Sequence, residues 1–174
     1  MIGGNVDNII KNNFFKLILL VITFSVIGCG ERTQDDTVSY KEGADAYAKG
    51  EFSVALKKLQ PVAERGNPQA QFYLGLMYSK GDGVEQDHGA AGAWWNKAAE
   101  QGHTGAQENL GLTYAKGQGV TRDWVQADKW FGIAAASGKE TAINNKKTVE
   151  VHMQPETIAE ANALAKEWLE KHKK

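Results

Sequence analysis

The chain has 174 residues, 42% of them apolar and 24% charged, which is enough length and apolar content for one domain with its own core. Lys and Arg number 20 against 21 Asp and Glu, so the net charge of −1 excludes the basic stripe that a nucleic-acid partner would need. The one cluster of cations, Lys171, His172, Lys173 and Lys174, falls at the end of an expected helix, where positive charge suits the macrodipole.

Near the N-terminus, Phe14 to Ile27 (FFKLILLVITFSVI) is an apolar run preceded by Lys11. It is shorter than the roughly 20 residues a membrane helix needs and matches the core of a signal peptide. The run ends in Val26-Ile27-Gly28-Cys29, which resembles the bacterial lipobox. That resemblance implies a signal peptide over 1–28, cleaved so that Cys29 carries a diacylglyceryl thioether and a palmitate-like acyl chain on its freed amine. Two or three chains hold a membrane stably where one does not. Gly30, rather than Asp, after the cysteine implies the periplasmic face of an outer membrane. Cys29 is the only cysteine, so no intramolecular disulfide is available. Residues 29–37 are polar and read as a short tether between anchor and domain.

From Val38 the apolar residues recur at helical spacing. The first unit, 38–69, supplies the end of a helix over Gly43 to Gly50 and a second over Glu51 to Arg65, with Ala55, Leu59, Val62 and Ala63 on one face. Pro61 inside that helix predicts a kink, and Asn67-Pro68 predicts a capped restart. The next two units, 70–105 and 106–141, repeat each other at an offset of 36 residues. Leu74/Leu110, Gly75/Gly111, Tyr78/Tyr114, Gly81/Gly117, Gly83/Gly119, Asp87/Asp123, Ala91/Ala127, Trp94/Trp130 and Gly102/Gly138 are among the kept positions. Gly75 and Gly111 lie inside a helix, where glycine costs about 1 kcal/mol, so their recurrence predicts a close helix approach. Asp87 and Asp123 stand where an N-cap acceptor is wanted. The second helix of each unit carries a buried stripe: Ala91, Trp94, Trp95, Ala98 and Ala99, then Ala127, Trp130, Phe131, Ala134 and Ala135.

This pattern, A-x3-L-G-x2-Y-x2-G-x-G-V-x2-D-x3-A-x2-W-[WF]-x2-A-A-x2-G, resembles the Sel-one-like repeat, a cousin of the tetratricopeptide repeat. The resemblance implies an all-α fold, an α/α superhelical solenoid of helix-turn-helix units whose inner surface binds other proteins. Some relatives hold a disulfide in each repeat, and this chain cannot. In the tail, 142–174, Ala142 continues the register, and Gln154-Pro155-Glu156 opens a last helix with Ile158, Ala161, Leu164, Ala165, Trp168 and Leu169 on one face. It reads as the capping helix that a solenoid end requires.

No serine is followed by lysine three residues on, and G-x-S-x-G, H-E-x-x-H and C-x-x-C are all absent. The chain is therefore read as a non-enzyme with no cofactor and no metal. His88 aligns with Phe52 and Trp124 and reads as a packed helix start; His103 aligns with Asn67 and Lys139 and reads as an exposed loop residue. Scaffold positions of a repeat should recur while ligand positions need not. On that ground the candidate partner-binding residues are Phe72, Tyr73 and Met77, their counterparts Glu108 and Asn109, and Trp124 as a packed or exposed anchor. The expected function is a lipid-anchored cell-envelope scaffold that binds a protein or peptide. The alternatives are an envelope hydrolase or β-lactam-binding protein of the repeat family, and a secreted effector or surface adhesin.

Overall fold

The computed structural model describes residues 35–173, so the expected signal peptide and Cys29 lie outside the described residues. From Ser39 onward the chain packs as one compact unit. Among the described residues there are eight helices and no strand: α1 (35–48), α2 (Phe52–Glu64), α3 (Pro68–Lys80), α4 (His88–Glu100), α5 (Thr104–Lys116), α6 (Trp124–Ala135), α7 (Glu140–Glu150) and α8 (Pro155–Lys171). Residues 35–37 are already helical, which corrects the tether expected to run to 37. Polar residues at a helix end carry no apolar period, so the pattern could not separate them from a linker.

Local chemistry places each start and stop. Asn67, Asp87 and Asp123 cap α3, α4 and α6, accepting from the amides of Ala70, Ala90 and Gln126 at 2.9, 3.0 and 3.0 Å. Each such cap is worth about 1 kcal/mol. Helix α2 runs through Pro61 without interruption. Helices α3 and α5 both end on a left-handed glycine, Gly81 and Gly117.

Consecutive helices from α2 to α7 pack against each other, which is how a solenoid buries faces that no single unit could cover. Ala55, Leu59, Val62, Ala70, Leu74 and Met77 form one core; Ala91, Trp95, Ala98, Leu110, Trp130 and Ile133 belong to the next. The helical glycines sit at the tightest crossings. A Cβ on Gly75 would overlap the Trp95 indole, and one on Gly111 would stand 2.6 Å from the Phe131 ring.

The C-terminal end differs from a single capping helix. Residues 140–150 form α7, so the cap is a helix pair, and α8 lays Ala161 and Ala165 onto the core while packing on α6. Helix α7 buries only Ala142 and Val149, too few apolar positions to announce a helix by period.

Candidate interaction surface

A chain of aromatic rings runs across the first helices of successive units. Tyr40 and Tyr47 of α1 approach Tyr73 of α3 with centroids 6.3 and 5.4 Å apart. Tyr73 meets Phe72 edge-on at 5.7 Å, and Phe72 stacks on His103, before α5, at 4.5 Å. All five rings are half-buried. Their packed sides restrain the rotamers while part of each ring stays exposed, a combination that makes aromatic side chains effective contact anchors. The ladder ends in charge. Glu108 of α5 pairs with Lys139 and accepts from Asn145 Nδ2 at 3.3 Å.

Phe72 and Tyr73 belong to this row of rings and Glu108 is half-buried beside Lys139, but Met77 is not exposed. It is fully buried in the core against Leu74, because its position on α3 turns it toward α2 rather than outward. Asn109 is half-buried; it lines a cavity between the two repeats, and its carbonyl accepts from Thr113 Oγ1 at 2.9 Å. Trp124 is a half-buried helix start, with His152 stacked at 5.0 Å and Arg122 at 5.2 Å from its ring. No ring contact among the described residues joins it to the ladder. Trp95 and Trp130 are core residues, whereas Trp94 is half-buried with Lys97 Nζ 4.2 Å from its ring.

His103 is no exposed loop residue. Its Nδ1 accepts from the Ala106 amide at 3.1 Å, the same cap that Asn67 supplies one repeat earlier. Burial holds its imidazole below the ordinary value, with the Lys139 ammonium acting in the same direction. Only a neutral ring can accept at Nδ1. Asp128 of α6 is a residue that sequence reasoning did not single out. It is 1% exposed and takes both carboxylate oxygens to Lys146 Nζ at 2.7 and 2.8 Å, while Lys146 also reaches Glu150 at 2.7 Å. Burial raises the Asp128 carboxyl above its usual range despite the opposing pull of Lys146. The repeated Gln71 and Gln107 are buried links as well, donating to the carbonyls of Ala63 and Ala99 at 3.0 and 3.1 Å. Their recurrence at the repeat offset was a signal available in the sequence.

Among the described residues no group of His, Cys, Asp and Glu is arranged to hold a metal ion, and no helix is long and apolar enough to cross a membrane. What the surface offers is contact: rings, amides and a few charges on a rigid helical frame. The molecule is an all-α repeat solenoid, a class built to present extended binding surfaces. More particularly, it is a Sel1-like repeat protein: the Sel1 repeat model matches residues 68–103 and 104–139.

Two solved structures are similar to it. One is c5321, described as a protective antigen present in uropathogenic Escherichia coli strains displaying an SLR fold; it is 32% identical with a TM-score of 0.76, over 82% of this chain and 31% of that one. The other is a Sel1 repeat protein from Oxalobacter formigenes, 33% identical with a TM-score of 0.62, over 74% of this chain and 55% of that one. The chain therefore spans about a third and about half of the lengths of these two relatives. No curated protein matches it significantly. The Sel1 repeat fold suggests a protein-interaction scaffold.

Proposed function

We propose that this chain is a lipid-anchored scaffold of the bacterial cell envelope that binds a protein or peptide partner along the aromatic ladder of its first helices. The ladder itself carries the reading, because Tyr47, Tyr73, Phe72 and His103 form one continuous row spanning two units. Rings held on one side and open on the other contribute contact area with little further loss of rotamer freedom. The envelope address is supported by the apolar leader and the Gly28-Cys29 junction in the sequence.

Covalent capture from intact cells tests the surface. Wild type should retain a partner that the Phe72→Ala, Tyr73→Ala double variant loses, with both folding equally by circular dichroism. Equal capture by the two would move the site off the ladder. Metabolic labelling with an alkynyl fatty acid tests the anchor: label on wild type and none on Cys29→Ser is the expected pair. Unlabelled protein released into the medium would instead favour the secreted effector or adhesin.

A further inference from the structure

Positions 80 and 116 are one repeat apart and both hold lysine, yet their surroundings differ. Lys80 Nζ donates to the Tyr47 hydroxyl at 3.2 Å, and that hydroxyl donates to Asp82 at 2.9 Å, so a carboxylate stands close to the first lysine. One repeat later Gln118 replaces Asp82; neither lysine makes a direct ion pair among the described residues, but Lys116 has no counterpart of the Tyr47 hydroxyl bridge to a carboxylate. Lys116 and Gln118 instead line a cavity of about 160 Å³ at the junction of the two Sel1 repeats, together with the Asn109 amide and apolar walls from Leu76, Leu112 and Trp95. None of the described residues lining it is acidic. The second junction keeps the cation, omits its internal counter-charge and leaves a recess beside it.

We propose that this cavity receives the carboxylate side chain of an Asp or Glu on the partner protein, with Lys116 as its counter-charge and the amides of Asn109 and Gln118 as donors. This rests on the scaffold reading and names the chemistry its partner must present. At about 160 Å³ the cavity is on the scale of a side chain rather than of a cofactor. A carboxylate entering it exchanges water for charge-assisted hydrogen bonds, which are stronger than neutral ones. Lys116 and Gln118 are exposed at the mouth of the cavity, so the pair should weaken as salt is added. A lysine-presenting partner would meet the opposite balance, so the cavity discriminates by sign.

The test reads the cavity directly. The full chain, ¹⁵N-labelled and held in a zwitterionic detergent, is titrated with N-acetyl-glutamate methylamide and, separately, with the glutamine analogue. The glutamate probe should shift the side-chain amides of Asn109 and Gln118 and the Trp95 indole saturably, and the glutamine analogue should not. Lys116→Gln should weaken the glutamate probe about tenfold, the scale of one hydrogen bond to a charged group. Gln118→Asp, which restores the internal carboxylate of the first junction, should do the same, with the fold of both variants checked by circular dichroism. Equal responses to the two probes, no response to either, or an unchanged response in Lys116→Gln would overturn the proposal. A silent cavity in a protein whose ladder variant still loses its partner would sink this inference and leave the scaffold standing. A responsive cavity where no partner is captured at the ladder would do the reverse.

Discussion

The two Sel1 repeats share a frame and differ in what they place upon it. Gly75 and Gly111, the caps Asp87 and Asp123, and the buried Gln71 and Gln107 make the same contacts twice. Against that constancy, Phe72 and Tyr73 give way to Glu108 and Asn109, Asp82 to Gln118, Gly92 to Asp128 and Trp95 to Phe131. The first repeat is faced with rings and has an internal carboxylate for its lysine; the second is faced with polar groups and leaves its lysine open. Recurrence therefore marks what holds the units together, and departure from it marks either surface meant for another molecule or a local solution to packing. The predictions below separate those two meanings, position by position.

The largest effect is expected at the departure from Gly92 to Asp128. Lys146→Met would leave a carboxylate with no exposed side-chain surface facing nothing of opposite sign, a loss of about 3–5 kcal/mol at neutral pH by urea unfolding. Because burial raises the Asp128 carboxyl, its proton favours the folded state: that stability is present below the unfolded value and lost as pH rises through the folded one. The deficit of Lys146→Met should accordingly shrink as pH falls through the carboxylate range. Asp128→Ala combined with Lys146→Met should recover most of the loss, since glycine serves at the same position one repeat earlier. A double variant as unstable as the single would locate the cost in the packed lysine stem instead.

Next come the shared glycines. Gly75→Ala and Gly111→Ala should each destabilise by about 1–3 kcal/mol, through overlap with Trp95 and Phe131. Gly132→Ala is the contrast. Its Cβ would meet Ala165 at an ordinary 3.4 Å, so the substitution should be neutral or stabilise by up to about 1 kcal/mol through helix propensity. Three alanines with the same effect in thermal unfolding would remove close approach as the reason for the repeated glycine.

Much of this frame was legible before any coordinates. Period-36 recurrence, capping residues and glycine positions are local or nearest-neighbour properties, and most of the buried stripe of α4 and α6 follows from helical spacing, with Trp94 and Ala135 only half-buried. Met77 was misplaced because helical spacing assigns a residue to a face without saying how far the neighbouring α2 wraps around it. Helix α7 was missed because its sequence, ETAINNKKTVE, has almost no apolar period and is held by its contacts with α6. The ladder was half visible: Phe72 and Tyr73 stood out as unrepeated, while Tyr40, Tyr47 and His103 belong to it only through contacts between units. Nothing in the sequence singles out Asp128, since its partner lies 18 residues away on the next helix.

A smaller effect is expected where the repeats differ in capping chemistry. Positions 67, 103 and 139 hold Asn, His and Lys; the first two accept a hydrogen bond from the helix and the third has no side-chain cap. His103→Ala should cost about 1 kcal/mol at neutral pH, and His103→Asn should cost little. The imidazole is held below its ordinary value, so its contribution is present above the unfolded value near 6.5 and lost as pH falls through the folded one. Its neighbours set that direction: Phe72 covers one ring face and the Lys139 charge opposes a second cation. Between pH 7 and about 5 the His103→Asn protein should therefore lose less of its thermal stability than wild type. Parallel losses would mean that the cap does not titrate.

The smallest effect is expected at Trp95, where two opposing terms nearly cancel. Its indole N–H is the one buried side-chain polar atom among the described residues without a hydrogen-bond partner, pressed against the backbone of α3 at Gly75. Leaving such a donor unpaired costs about 1–3 kcal/mol, which Trp95→Phe would abolish. The same substitution removes ring volume and opens a void, a loss of similar size and opposite sign. Phe131 occupies the corresponding place against Gly111, so a phenyl ring is already known to fit this crossing. The net change in urea unfolding should lie within about 1 kcal/mol, and the variant should retain the far-ultraviolet circular dichroism of wild type. A loss above about 3 kcal/mol would mean that the fit of the indole outweighs its orphaned donor, and that the two repeats are tuned to different rings rather than tolerant of either.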